Sequence, residues 1–158
     1  MFTIPTTYFK KKSSEPSAPN LIHAWSLRRE GSYIGDLATI RRVSDNENAD
    51  FGLSDSGLLT TSTASNSSSG GAFNGQTLST FLSGTTGVVI FTPDQVGSND
   101  SNQTILGNQP VVYTGGSLVN INSKASMDFG GSKFLESVIA STLTSNPEFT
   151  IVAVKEDN

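Results

Sequence analysis

The side chains of this chain best suited to chemistry are carboxylates set in polar, turn-rich segments: Asp36, Asp45, Glu47, Asp50, Asp94 and Asp128. Two carboxyl groups ~5–5.5 Å or ~6.5–9.5 Å apart can hydrolyse a glycosidic bond with retention or inversion. Several hard oxygens converging from loops can hold Ca²⁺, and residues 44–50 and 94–102 are the runs rich enough to try. Neither run has the spacing of an EF-hand. Each acid also sits in a turn or at a strand end, where Asp ordinarily caps backbone amides. The expectation is therefore no catalytic residue and no metal site, with Ca²⁺ the one cofactor left open. His23 is the only histidine and stands beside Trp25. With no serine or cysteine motif around it, it reads as a structural, hydrogen-bonded residue rather than a base. Phosphate-binding loops, dinucleotide fingerprints and zinc spacings are absent. The chain is not expected to be an enzyme.

Other side chains suit binding better. If loops 44–50, 61–76 and 94–109 gather at one end of a sandwich, Tyr33, Phe73 or Tyr113 could stack against a sugar. Trp25 reads as core. The pairs Arg28-Arg29 and Arg41-Arg42 are expected to meet Asp45, Glu47 and Asp50 within the chain. The N-terminal stretch carries Phe2, Ile4, Tyr8 and Phe9 and then Lys10-Lys11-Lys12, with Pro5, Pro16 and Pro19 opposing helix and central strand. Residues 1–20 therefore read as an arm and linker that orders on a partner. An equal alternative is a frayed tail whose aromatics fold back on their own domain.

The elements that would position these groups are short. Strands are expected at 21–27, 37–43, 51–53, 88–91, 110–113, 118–121 and 125–129, with polar loops at 44–50 and 93–107. The serine-rich tract within 54–71 reads as a flexible surface loop. Leu78, Phe81 and Leu82 have the i, i+3, i+4 spacing of a short helix within 72–83, and residues 134–143 carry weaker helical spacing. Short strands separated by turn signals favour a sandwich or barrel. The most apolar run, 149–154, reads as a buried strand short of partners. It implies an incomplete domain, finished by another chain or by further residues.

Composition agrees with this architecture. Only 35% of residues are hydrophobic and 15% charged, and there is no cysteine. Typical domains carry ~25% charged residues; here Ser, Thr, Asn and Gly fill the deficit, which suits strands and turns. The net charge of −4 gives no general attraction to nucleic acid or anionic membrane. No signal peptide is recognisable, and no run approaches the ~20 apolar residues of a membrane span.

Several runs, in order, resemble one family: Ala24-Trp-Ser-Leu-Arg28, Ile40-Arg-Arg-Val-Ser-Asp-Asn46, Asp50-Phe-Gly52, Pro93-Asp-Gln95, Asn108-Gln-Pro110 and Asn122-Ser-Lys-Ala-Ser-Met-Asp-Phe129. They are similar to the runs A-Y-S-L-R, V-R-R-S-S-D-N, D-I-G-F, W-Y-D-Q-S-G-N-G, N-Q-P-x-I and N-G-K-P-A-L-D-F-D-G of concanavalin A-like jelly-roll domains related to the arabinofuranosidase B catalytic domain. The fourth run departs from the pattern, with Phe91-Thr-Pro93 where an aromatic pair would stand, and the last has Ser123 for Gly. The resemblance spans about residues 22–131. It implies a two-sheet antiparallel sandwich of the kind also found in phage virion and bacterial surface proteins. The family's catalytic carboxylates would lie beyond Asn158, so none is carried over.

The expectation is an all-β, antiparallel jelly-roll-like sandwich at 21–158 behind an N-terminal arm at 1–20. The function expected is that of a structural virion protein: a head-fibre, tail-fibre or decoration component located in the virion. Its arm would bind other virion structural proteins, and it would form a homo-oligomer and display a lectin-like sandwich toward a cell-surface glycan. A carbohydrate-binding module, or the N-terminal fragment of a glycoside hydrolase, is the alternative.

Overall fold

The computed structural model describes residues 24–52, 57–68 and 71–137. The arm residues Phe2, Ile4, Tyr8, Phe9 and Lys10–Lys12, together with His23, residues 138–143 and the apolar run at 149–154, lie outside the described residues.

The described chain is all-β, consistent with a sandwich. In chain order its elements are β1 (Ala38–Arg42), β2 (Asn48–Phe51), β3 (Ser65–Ser68), α1 (Leu78–Leu82), β4 (Gly87–Thr92), β5 (Ser101–Asn102), β6 (Val111–Thr114), β7 (Ser117–Leu118), β8 (Asn120–Ile121), β9 (Lys124–Ala125) and β10 (Glu136–Ser137). The main sheet runs β10-β5-β4-β1-β2-β3, and all its pairings are antiparallel. The far edge of β4 is shared: its last residues pair with β5 and its first with β6, which in turn carries β7. β8 and β9 form a separate small hairpin.

Strand alternation divides the sheet into two faces. On β1 and β2, Ala38, Ile40, Ala49 and Phe51 are buried, while Thr39 and Asp50 lie on the other face. Val89, Val112 and Tyr113 extend the inner face, and Leu27, Leu37 and Leu59 join it from the flanking segments. The remaining cover comes from α1. Five residues are too few for a helix to stand alone, so packing must hold it. Leu78, Phe81 and Leu82 are fully buried, and Phe81 sits 5.6 Å from the Phe51 ring. The Thr77 hydroxyl accepts from Thr80 N to start the helix, and Ser83 in the left-handed region (φ 49°) ends it.

Four expectations are corrected here. Ala24–Leu27 forms no strand; the segment instead makes a single bridge from Arg28 to Leu58. The serine-rich tract is not all loop, because Ser65–Ser68 pairs with β2 as β3. Asn48 and Ala49 belong to β2 rather than to a 44–50 loop, since the turn closes earlier: Asn46 takes a positive φ of 64° and its N–H bonds Arg42 O. Glu136–Ser137 is strand β10, paired with β5, and not part of a helix over 134–143. The helix within 72–83 is present but confined to its apolar triplet.

Candidate functional site

Some of the acids and amides named above are consumed by the backbone. Asp94 is 6% exposed. Its Oδ1 accepts from Ala24 N at 2.9 Å, Val96 N at 3.2 Å and Gly97 N at 3.0 Å, and its Oδ2 from Asn99 N at 3.2 Å. Gln95 beside it accepts from Glu30 N and donates to Ser26 O and Arg28 O. Asp100 accepts from Asp94 N, and Trp25 Nε1 donates to Asn99 O. The loop after β4 is thus a clamp on residues 24–30, which explains how that segment stays in place without being a strand.

A second buried network joins β1 to the loop before β6. Arg41 Nε donates to Gln109 Oε1 at 2.7 Å, its other nitrogen reaches Asn46 Oδ1, and Gln109 Nε2 donates to Gln103 O. Among the described residues no carboxylate pairs with Arg41. Burial accordingly pushes the Arg41 guanidinium below its usual range. Among the described residues, the expected meeting of basic pairs with acids is realised next door, where Arg42 and Asp45 form an ion pair at 2.6 Å. The hydrogen bonds that Arg42 donates to Asp45 hold Arg42 above its ordinary value and draw Asp45 below the usual carboxylate range. The Arg42 guanidinium also lies 4.8 Å over Phe73 and 4.9 Å over Phe81.

What remains faces solvent. Register places Asp50, Thr39, Phe91, Asn102 and Glu136 opposite one another in a row across β2, β1, β4, β5 and β10. At the centre of this row the face is concave. An open cavity of about 440 Å³ is lined by Tyr33, Asp36, Thr39, Asp50, Phe91 and Pro93. Thr39 Oγ1 donates to Asp50 Oδ1 at 2.5 Å, and Tyr33 OH donates to Asp36 O at 2.8 Å. The Asn66 amide, reaching from β3, bonds Asp36 Oδ1. Two glycines allow these contacts. A Cβ on Gly35 would strike the Tyr33 phenol, and one on Gly52 would strike the Asn66 amide and lie 3.1 Å from Asp36 Oδ1. Burial, and then the nearby charges of Asp36 and Asp100, push the Tyr33 phenol above its ordinary range.

The three proposed stacking platforms have separate fates. Tyr33 lines the cavity. Tyr113 is 3% exposed in the core, so it offers no ring face to a ligand. Phe73 is partly buried, edge-on to Phe81 at 5.2 Å with Arg42 against its ring, and lies outside the cavity lining. The site is also not built from the loops named for it. Thr39, Asp50 and Phe91 come from the sheet face, and Phe91 was not singled out as a platform; a register shift between Thr39 and Ile40, which pair with Phe91 and Val89, turns Phe91 outward although Val89 is in the core. Of the acids weighed for glycosidase chemistry, Asp36 and Asp50 share this cavity. Among the described residues no cluster of three acids or histidines could hold a metal. A second open groove, about 340 Å³, lies between residues 58–61 and the β7–β9 region and is lined by neutral side chains and Lys124. No helix among the described residues is long and apolar enough to cross a membrane.

No protein-family model matches the chain, and no curated protein or solved structure matches it either.

Proposed function

We propose that this domain is a carbohydrate-binding β-sandwich whose site is the concave outer face of the main sheet. The observation that carries this is the cavity where the rings of Tyr33 and Phe91 meet the carboxylates of Asp36 and Asp50. Sugars present both apolar C–H faces and hydroxyl edges. Aromatic rings take the first, and fixed acceptors such as Asp take the second. The two carboxylates already accept from Thr39 and Asn66, which orients their oxygens in advance and lowers the ordering cost on binding. Binding rather than hydrolysis is the reading, because the other acids are turned to capping and ion pairing.

Kinship with concanavalin A-like jelly rolls is part of this proposal. In its favour, the runs that carry the resemblance touch one another: Asp94-Gln95 holds the 24–28 run, and Arg41 holds the Asn108-Gln-Pro110 run. A structural virion component remains the proposed setting, with the aromatic and lysine-rich arm at 1–20 as its attachment peptide. The test of the central reading is a glycan array on the wild type, Tyr33→Ala and Phe91→Ala. Binding is expected for the wild type and loss for both variants. A blank array, or unchanged binding by the variants, refutes it. For the setting, deletion of residues 1–12 should leave a folded domain that no longer joins its particle; continued assembly refutes the anchor.

A further inference from the structure

We infer that the ligand of this face is an interior stretch of a linear β-linked glycan lying across the strands, and that Asn102 and Glu136 bind it beyond the cavity. This rests on the carbohydrate reading above and extends it from one sugar to a chain. Two β-bulges build the cavity. The register between β1 and β4 passes from Thr39 opposite Phe91 to Ile40 opposite Val89, so Ile90 is the extra residue and Phe91 comes to the outer face. The register between β2 and β3 passes from Asp50 opposite Ser67 to Phe51 opposite Ser65, so Asn66 is the extra residue, and its amide reaches Asp36. Bulges re-aim side chains and recur next to active sites. Here both serve one cavity: the first supplies a ring and the second fixes a carboxylate.

The face continues past the cavity. Directly opposite residues of antiparallel strands share a face, so Phe91 is followed by Asn102 on β5 and Glu136 on β10. Both are exposed. The next pair along, Thr92 and Ser101, is buried on the inner face and joined through its hydroxyls. Strands lie ~4.8 Å apart, so the row from Asp50 to Glu136 runs roughly 19 Å. A β-linked pyranose chain is extended and advances by about one strand spacing per unit, so successive strands meet successive units. A lone terminal sugar would fill the cavity and leave the rest of the row unused. A chain also meets the Asn102 amide, which donates and accepts, and the Glu136 carboxylate, which accepts. Sugar hydroxyls can answer each of these.

The experiment is calorimetric titration of the full chain with length ladders, from the monosaccharide to the hexamer, of β-1,4-glucose, β-1,3-glucose, β-1,4-mannose and β-1,4-xylose. In the ladder that binds best, the tetramer should bind about tenfold tighter than the dimer, and affinity should level off beyond the pentamer. Phe91→Ala should weaken every length. Asn102→Ala and Glu136→Gln, both at exposed positions, should each weaken the pentamer about threefold to tenfold and leave the dimer unchanged. Near-ultraviolet circular dichroism should not change in either variant. Affinity that is level from the dimer upward overturns the inference but leaves a sugar site. Pentamer binding that ignores either of those two substitutions does the same, and so does binding on the array with all four ladders silent. Silence across both the ladders and the array removes the carbohydrate reading itself, and the inference with it.

Discussion

Asp94 and Asp50 are the same side chain put to opposite uses a few strands apart. Asp94 lies in the interior behind β4, and four backbone N–H groups point at its two oxygens. Asp50 lies on the outer face of β2, accepts a hydroxyl bond from Thr39 and lines the cavity there. The difference teaches that an acidic residue in a turn motif is uninformative until its surroundings are known. Buried backbone amides must find acceptors, and the loops of a strand-poor chain use Asp, Asn and Gln to supply them. Function is left to the few polar groups whose neighbours are side chains and solvent.

That division can be broken by substitution. Asp94→Ala should have the largest effect on stability, about 3–5 kcal/mol, because it strips four part-buried backbone N–H groups of a charged acceptor at once. Urea unfolding measures it, and a loss below about 1 kcal/mol would dissolve the contrast with Asp50. Gln109→Ala should cost about 2–3 kcal/mol by stripping Arg41 Nε of its buried acceptor. The double variant Arg41→Met with Gln109→Leu should recover much of that loss, since removing a buried charge together with its partner is often neutral or better. Phe73→Ala should cost about 1–2 kcal/mol through the lost edge contact with Phe81 and the exposed Arg42 face.

On the outer face the order of effects reverses. Asp50→Asn should move stability by less than about 0.5 kcal/mol yet reduce sugar binding about tenfold, read by calorimetry. Smallest of all is the pH response of the Arg42–Asp45 pair. Arg42 holds the folded-state value of Asp45 below its unfolded one. The pair's contribution is therefore present above the ordinary Asp range and lost as pH falls through the depressed folded value. Urea midpoints of the wild type and Asp45→Asn should converge at acid pH and separate slightly above it.

The sequence displayed the hydrophobic frame well. The Leu37-to-Val43 run is β1, the Val88-to-Phe91 run is β4, and the triplet Leu78, Phe81, Leu82 is the buried face of α1. These features rest on periodicity, which a chain carries locally. What stayed hidden depends on contacts far apart in sequence. Ser65–Ser68 has the composition of a loop and becomes a strand because β2 offers an edge. Residues 24–27 have the alternation of a strand and are instead held by side chains some 70 positions away. The candidate site was half legible. Tyr33 is named there as a platform, and Asp36 and Asp50 only among acids weighed for hydrolysis, capping or ion pairing. Phe91 turns outward and Tyr113 inward, because one residue of register decides which face a strand side chain meets.

The most direct test is to map the amide chemical-shift changes of the labelled chain during titration with the sugar that binds it most strongly on the array. The account predicts that the shifts gather at Tyr33, Asp36, Thr39, Asp50 and Phe91, with Asp94, Gln95 and Arg41 unmoved. Shifts centred on the groove at Leu58–Thr61 and Lys124, or spread evenly over the surface, would contradict it.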